Sequence, residues 1–385
     1  MEILVKTLAG LEEILAQELA DLGAQEITPL KRAVKCTGDH RVLYASNLWL
    51  RTALRVLVPV HTFTANTEQE LYDGMKNVNW GQFMKLHQTF VVDVVTQSAR
   101  LNHSHFLSLK TKDAIADWFR EKSGKRPGVN VDRPDVRFHV HIDSRNIVTL
   151  LLDSSGDGLH RRGYRTDGGE APLNEVLAAG LVLLSGWKAD RPLVDMMCGS
   201  GTILIEAGMI ATRRPPGMNR KFAFEQWPDF DTALWKKIKD EARAMRRPFA
   251  LPIIGVDVSP RAVRIAEQNI SAAHLDDTVR VRRSPFQKYL PPEGPAFLIS
   301  NPPYGLRIKT EELVGLYREI GDKLKKDFAD YDAWIFSGNI DALKQVGLKP
   351  SRKLHLMNGQ LECRFFRYEL YAGTKGRDKN KLFNF

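Results

Sequence analysis

Four residues, Asn301-Pro302-Pro303-Tyr304, directly follow the apolar run Phe297-Leu298-Ile299-Ser300. Neither proline carries a backbone N–H, so the segment is stiff and offers acceptors without donors at those positions. The Asn301 amide oxygen and the Pro302 carbonyl make an acceptor pair suited to a planar NH2 group. Such a pair holds both protons and turns the nitrogen lone pair out of the conjugated plane. Tyr304 adds a flat face on which the group bearing that nitrogen can stack. A proline-rich loop without chemistry would require neither the Asn nor the Tyr.

Two other strand-like runs end in an acid. Leu193-Val194-Asp195 continues as Met196-Met197-Cys198-Gly199-Ser200-Gly201-Thr202, a Gly-rich turn that opens a helix. Such a turn lets a ligand approach the backbone at the carboxyl edge of a sheet. It lacks the Gly-x-Gly-x-x-Gly spacing of the dinucleotide fingerprint and the Lys of a phosphate-binding loop. Ile253-Ile254-Gly255-Val256-Asp257 ends in Asp257, which can accept both hydroxyls of a ribose. The competing reading is that Asp257 or Ser259 merely caps the helix beginning at Pro260.

Other chemistries find little support. Cys36, Cys198 and Cys363 form no Cys-x-x-Cys pair, against a zinc ribbon or a disulfide scaffold. A covalent attack on a pyrimidine needs a Cys beside the base, and none follows Tyr304. His139 and His141 share a strand face, with His103 and His105 near in sequence, but no third ligand type is indicated and no metal is expected.

Regular elements must position these residues. From Pro172 onward, short apolar strands alternate with helices: strands at Pro192–Asp195, Pro252–Asp257, Thr278–Val281, Phe297–Ser300 and Ala333–Phe336, helices at Leu173–Ser185, Gly201–Ala211, Pro260–Ala272, Glu311–Lys325 and Ile340–Gln345. That is the pattern of a parallel sheet covered on both faces. A last pair, Leu348–Leu356 and Gln360–Leu370, adds an antiparallel edge. Upstream, Leu11, Ile14, Leu15, Leu19 and Leu22 mark a helix ended by Gly23, within mixed strands and helices that continue to about Leu152. Gly156–Gly169, with Arg161, Arg162 and Arg165, is the clearest boundary. Arg213–Met245 is a long insertion whose basic and aromatic residues either grip nucleic acid or form a flap with aromatics packed inward.

The 385 residues suffice for two or three domains, and the longest nearly apolar run, Leu177–Trp187, is too short for a membrane span. The net charge of +10 mildly favours a polyanionic partner. No secretory signal is visible at the N-terminus, and a reducing cytoplasm is the default expectation.

Together the three motifs resemble those of a class I methyltransferase that acts on a planar exocyclic nitrogen. The resemblance implies S-adenosylmethionine as cofactor, contacted at Asp195, Cys198, Gly199, Ser200, Gly201, Thr202 and Asp257, with Asn301, Pro302, Pro303 and Tyr304 as catalytic residues. Where that family often has an acid or amide near the adenine, this chain reads Arg283-Ser284-Pro285-Phe286. Asp153–Gly156, Leu159–Arg165, Ala171–Glu175 and Phe222–Pro228 further resemble the bacterial ribosomal RNA guanine-N2 methyltransferases of the RlmL type. That resemblance covers nearly the whole chain and adds Asn174 and Glu175 to the cofactor contacts. It implies a ferredoxin-like segment at 1–64, a THUMP RNA-binding domain at 65–155, a linker at 156–171, a Rossmann-like catalytic domain at 172–373 and a basic tail at 374–385. The implied partner is 23S ribosomal RNA or the assembling large subunit, with no membrane and no obligatory protein partner. Adenine-N6 methylation of DNA or RNA, and a non-catalytic RNA-binding assembly factor, are the alternatives.

Overall fold

The computed structural model describes residues 1–165, 172–304 and 310–371. The expected basic tail at 374–385, the end of the expected linker (166–171) and Gly305 lie outside the described residues. The chain forms two compact units, one of residues 1–162 with 215–245, the other of 163–214 with the chain from Arg246 onward.

The first unit begins β1 (Glu2–Thr7), α1 (Glu12–Asp21), β2 (Gln25–Leu30), β3 (Ala33–Thr37), α2 (His40–Trp49) and β4 (Ala53–Thr64). Leu11, Leu15 and Leu19, three of the residues that mark the first helix in the sequence, are fully buried. Gly23, at φ +87°, ends that helix region. Asp39 accepts from the Val42 N–H and so caps α2. Then come α3 (Glu68–Lys76), β5 (Phe90–Thr96), α4 (Ser104–Ser123), β6 (Val136–Ile142) and β7 (Ile147–Asp153). The two small modules expected here share one seven-stranded sheet, ordered β2-β3-β1-β4-β7-β6-β5. Strand β4 is the joint: Ala53–Leu57 pairs with β1, and Leu57–Thr64 pairs with β7. The register against β7 slips between Pro59 and His61, where the proline has no N–H to donate.

The second unit runs α5 (Glu175–Leu184), β8 (Leu193–Asp195), α6 (Thr202–Ala211), then, after an insertion carrying α7 (Thr232–Ala244), β9 (Ile253–Asp257), α8 (Pro260–Ala272), β10 (Val279–Arg283), β11 (Ala296–Ser300), α9 (Thr310–Asp327), β12 (Tyr331–Ser337), α10 (Ile340–Lys344), β13 (Arg352–Asn358) and β14 (Leu361–Glu369). Its sheet is ordered β10-β9-β8-β11-β12-β14-β13. The first five strands run parallel, and β14 is antiparallel to both neighbours, the expected edge. β13 starts at Arg352 rather than Leu348, because Gly347 (φ +66°) and Pro350 interrupt extended pairing. Strand order reverses between β8 and β11, and a crevice at the carboxyl ends of such strands is where ligands of this fold type bind.

The expected span 172–373 is not continuous, since Pro215–Met245 packs with the first unit. Phe224 stacks on Tyr44 at 4.4 Å and on Phe222 at 5.4 Å, and meets Trp235 edge-on at 5.2 Å. The Asp231 N–H donates to the Tyr44 hydroxyl at 3.1 Å. Gly217 donates its N–H to the Leu48 carbonyl, and a Cβ there would come within 2.8 Å of the Asn47 oxygen. Arg220, one of the residues weighed for gripping phosphate, instead donates to the carbonyls of Gly158, Arg161 and Asp157. Burial pushes its guanidinium down to about 10. The flap reading therefore describes this insertion, and apolar burial of its aromatics explains why it leaves its sequence neighbours.

Candidate active site

A cavity of about 330 Å³ opens at the carboxyl ends of β8, β9 and β11, walled by the Gly-rich turn, by Ser259 and Arg261 at the start of α8, and by Asn301. The turn depends on two left-handed residues, Gly199 at φ +53° and Gly201 at φ +79°. A Cβ on Gly201 would press to 3.2 Å against the Ala266 Cβ, so Gly is required for the close approach of α6 to α8. Cys198 donates its N–H to the Val256 carbonyl at 3.0 Å, anchoring the turn to β9. Its thiol is pushed well above the ordinary value by burial, then by the charges of Asp195 and Asp257, which favours the protonated form.

Asp257 accepts from the Gly199 N–H at 2.9 Å on one oxygen and from the Ser259 N–H at 2.9 Å on the other. Each oxygen keeps a further lone pair for a ligand hydroxyl. The cap of α8 falls to Ser259, whose hydroxyl oxygen accepts from the Ala262 N–H at 3.3 Å. That separates the two roles that the sequence left open for Asp257.

Asp195 is 2% exposed and ties β8 to β11, accepting from the Ser300 hydroxyl at 2.7 Å and from the Met197 N–H at 3.2 Å. Burial pushes its carboxyl up to about 7; the two hydrogen bonds oppose the rise and the charge of Asp257 adds to it. An acid raised above its unfolded value of about 3.9 binds its proton more tightly when folded. Its contribution to stability is therefore present at about pH 4 and below, and is lost as pH rises toward about 7. Melts of ligand-free wild type and Asp195→Asn should diverge over that window, with the wild type losing stability relative to the variant as pH rises. Parallel curves would place the titration elsewhere.

Asn174 and Glu175 secure the start of α5. The Asn174 side chain accepts from the N–H groups of Val176 and Leu177, at 2.9 and 3.3 Å. Glu175, 6% exposed, accepts from Arg165 at 2.8 and 2.9 Å. Arg165 also donates to the Leu173 carbonyl at 3.2 Å, and Pro172 and Leu173 form part of the cavity wall. Ser200 and Thr202 line the same cavity, their hydroxyls 3.3 Å apart.

The Asn301 side-chain oxygen is buried and has no hydrogen-bond partner. An unsatisfied buried acceptor costs about 1–3 kcal/mol, so this atom is suited to meet a donor that arrives with a ligand. Pro302 is buried and Pro303 exposed. Tyr304 meets Phe336 edge-on at 6.2 Å, and burial pushes its hydroxyl up to about 12, so the ring stays neutral. Near the expected adenine position, the Ser284 N–H donates to the Asp257 carbonyl at 3.0 Å. Among the described residues no group of three or more His, Cys, Asp or Glu is placed to hold a metal ion; His139 instead hydrogen-bonds Asp153 at 3.1 Å. Arg261 was not singled out from the sequence; Pro172 and Leu173 entered only within the resemblance at Ala171–Glu175, and Ser300 only as the last residue of an expected strand.

A parallel sheet with its order reversed beside a glycine turn, an acid on the next strand and an open acceptor on the fourth define the class I methyltransferase architecture. Family models match in series: the RlmL ferredoxin-like domain over residues 2–57, the THUMP domain over 65–153 and the RMKL-like methyltransferase domain over 162–367. A Synechocystis protein provisionally named an RNA methyltransferase is 40% identical, over 94% of this chain and 95% of that protein. The ribosomal RNA large subunit methyltransferase K/L of Methylococcus capsulatus is also 40% identical, over 94% of this chain but 50% of its own length. The chain thus spans about half of the K/L proteins it matches. The crystal structure of SMU.472, provisionally named a methyltransferase and complexed with S-adenosylhomocysteine, aligns with a TM-score of 0.88 at 30% identity, over 97% of this chain and 99% of that one. The chain belongs to the RMKL-like methyltransferase family, with the ferredoxin-like and THUMP domains of its RlmL-type members.

Proposed function

We propose that this chain transfers a methyl group from S-adenosylmethionine to the exocyclic N2 of a guanine in 23S ribosomal RNA. The observation that carries this reading is the buried, unpartnered Asn301 oxygen at the cavity wall. The THUMP match and the K/L relatives, whose names concern the large ribosomal subunit RNA, support RNA as the substrate class.

The residues present fit the cofactor: two glycines open the turn, and Asp257 retains acceptor capacity beside it. The cofactor supplies an electrophilic methyl on a sulfonium. This chain's contribution is position. Asn301 and the Pro302 carbonyl accept the two amine protons and aim the nitrogen lone pair, while neutral Tyr304 stacks on the base. After transfer the amine loses its extra proton to solvent water, and the buried Cys198 takes no covalent part.

Asp257→Ala should weaken S-adenosylhomocysteine binding by one or two charge-assisted hydrogen bonds, each about 1.5–3 kcal/mol. Calorimetry reads this directly, and an unchanged dissociation constant would remove Asp257 from the ribose.

The function itself is tested by mass analysis of nucleosides from 23S ribosomal RNA of cells with and without the protein. N2-methylguanosine that depends on the protein is the expected result. Dependence of N6-methyladenosine would overturn the base assignment, since the same acceptor pair also fits an adenine amine. No change in any nucleoside would favour an assembly factor.

A further inference from the structure

Tyr304 is held by a segment outside the motif. Strand β13 ends at Asn358, which pairs with Leu361 across the two-residue turn Gly359-Gln360. Gly359, at φ +63°, supplies the left-handed conformation that such a turn needs at its first position. The turn fixes the Asn358 side chain, whose amide donates to the Tyr304 hydroxyl oxygen at 3.0 Å. On the paired strand, the fully buried Cys363 donates its thiol to the Leu361 carbonyl at 3.6 Å. Gly338, just beyond β12, leaves room for the ring: a Cβ there would lie 2.8 Å from Tyr304 Cε2 and 2.5 Å from Leu361 Cδ2.

On the reading of Tyr304 as the stacking face for the base, we propose that Asn358 is a positioning residue that fixes the direction of the Tyr304 ring by holding its hydroxyl end. Only two stiff prolines separate Tyr304 from Asn301, so a swing of the ring displaces the stacked base relative to the amine acceptors. The hairpin of β13 and β14 therefore does more than finish the sheet: its tip locks the stacking surface.

The test is a double-mutant cycle with a 23S ribosomal RNA transcript and labelled S-adenosylmethionine. Asn358→Ala should lower kcat on the order of tenfold. The KM for S-adenosylmethionine should stay within about twofold, as expected for a change that leaves cofactor binding intact. In a Tyr304→Phe background the same substitution should change kcat by less than about twofold, because the shared hydroxyl is already gone. An equal loss in both backgrounds, or no loss in the wild type, overturns the proposal. Fluorine NMR of fluorotyrosine-labelled protein gives a second measurement that needs no RNA. The Tyr304 resonance, assigned by its disappearance in Tyr304→Phe, should move in Asn358→Ala; a stationary resonance overturns the contact. If wild type leaves the transcript unmethylated, the RNA reading fails, and the resonance still decides the role of Asn358.

Discussion

Asn301→Ala should lower methyl transfer on the order of a hundredfold or more, while S-adenosylhomocysteine affinity stays within a few fold. Among the described residues that line the cavity, the Asn301 amide oxygen is the buried side-chain acceptor without a hydrogen-bond partner, so its loss breaks no hydrogen bond among them. Its removal should spare stability as well. The loss falls on the substrate amine, which no longer has both protons held and so presents its lone pair in the wrong plane. Asn301→Asp is a sharper version, because it keeps size and acceptors but adds charge beside Asp195 in a shared, partly buried pocket. Rates in single-turnover experiments with saturating cofactor separate this from binding. Near wild-type turnover in Asn301→Ala would remove the residue from the amine.

Phe224→Ala should destabilise the first unit by about 3–5 kcal/mol, the range for deleting a large aromatic side chain from a packed core. Phe224 is fully buried, with Tyr44 on one face, Phe222 on the other and Trp235 at its edge. No polar atom is released by the truncation, so the cost is transfer plus cavity. Denaturant unfolding followed by circular dichroism reads it. A loss below about 1 kcal/mol would show that the cluster relaxes into the void.

The sequence disclosed the catalytic fold because three of the five parallel strands are short apolar runs that lead directly into a residue with chemical character: Asp195, Asp257 and Asn301. Local turn chemistry then placed the helices, as with Pro260 at the start of α8. What stayed hidden depends on contacts remote in sequence. The sequence marks a strand over Arg55–Phe63, within the twelve residues of β4, but nothing in it says that each end pairs with a different module. The aromatics of the Arg213–Met245 insertion left nucleic-acid stacking and inward packing both open, and nothing in them names Tyr44 as the surface that receives Phe224. Asp195 looked like a ligand contact, and its burial against Ser300 comes from the neighbouring strand. Asn358 sits in an ordinary hairpin turn and acquires meaning only through its distance to Tyr304.

The interruption at Pro215–Met245 also fixes an order of events at the ribosome. When the first 162 residues have emerged, Tyr44 still lacks the ring that covers it, because Phe224 belongs to a stretch synthesised later. By the time Phe224 appears, β8 and α6 have been made, but β9 and β11, the strands that flank β8, have not. The nascent chain must therefore close its amino-terminal core while carrying an unfinished, apolar fragment of the next sheet. Such a fragment is exposed to misassembly until its neighbours arrive. A cut near residue 165 would leave Tyr44 and Phe224 on separate pieces, each with bare aromatic surface.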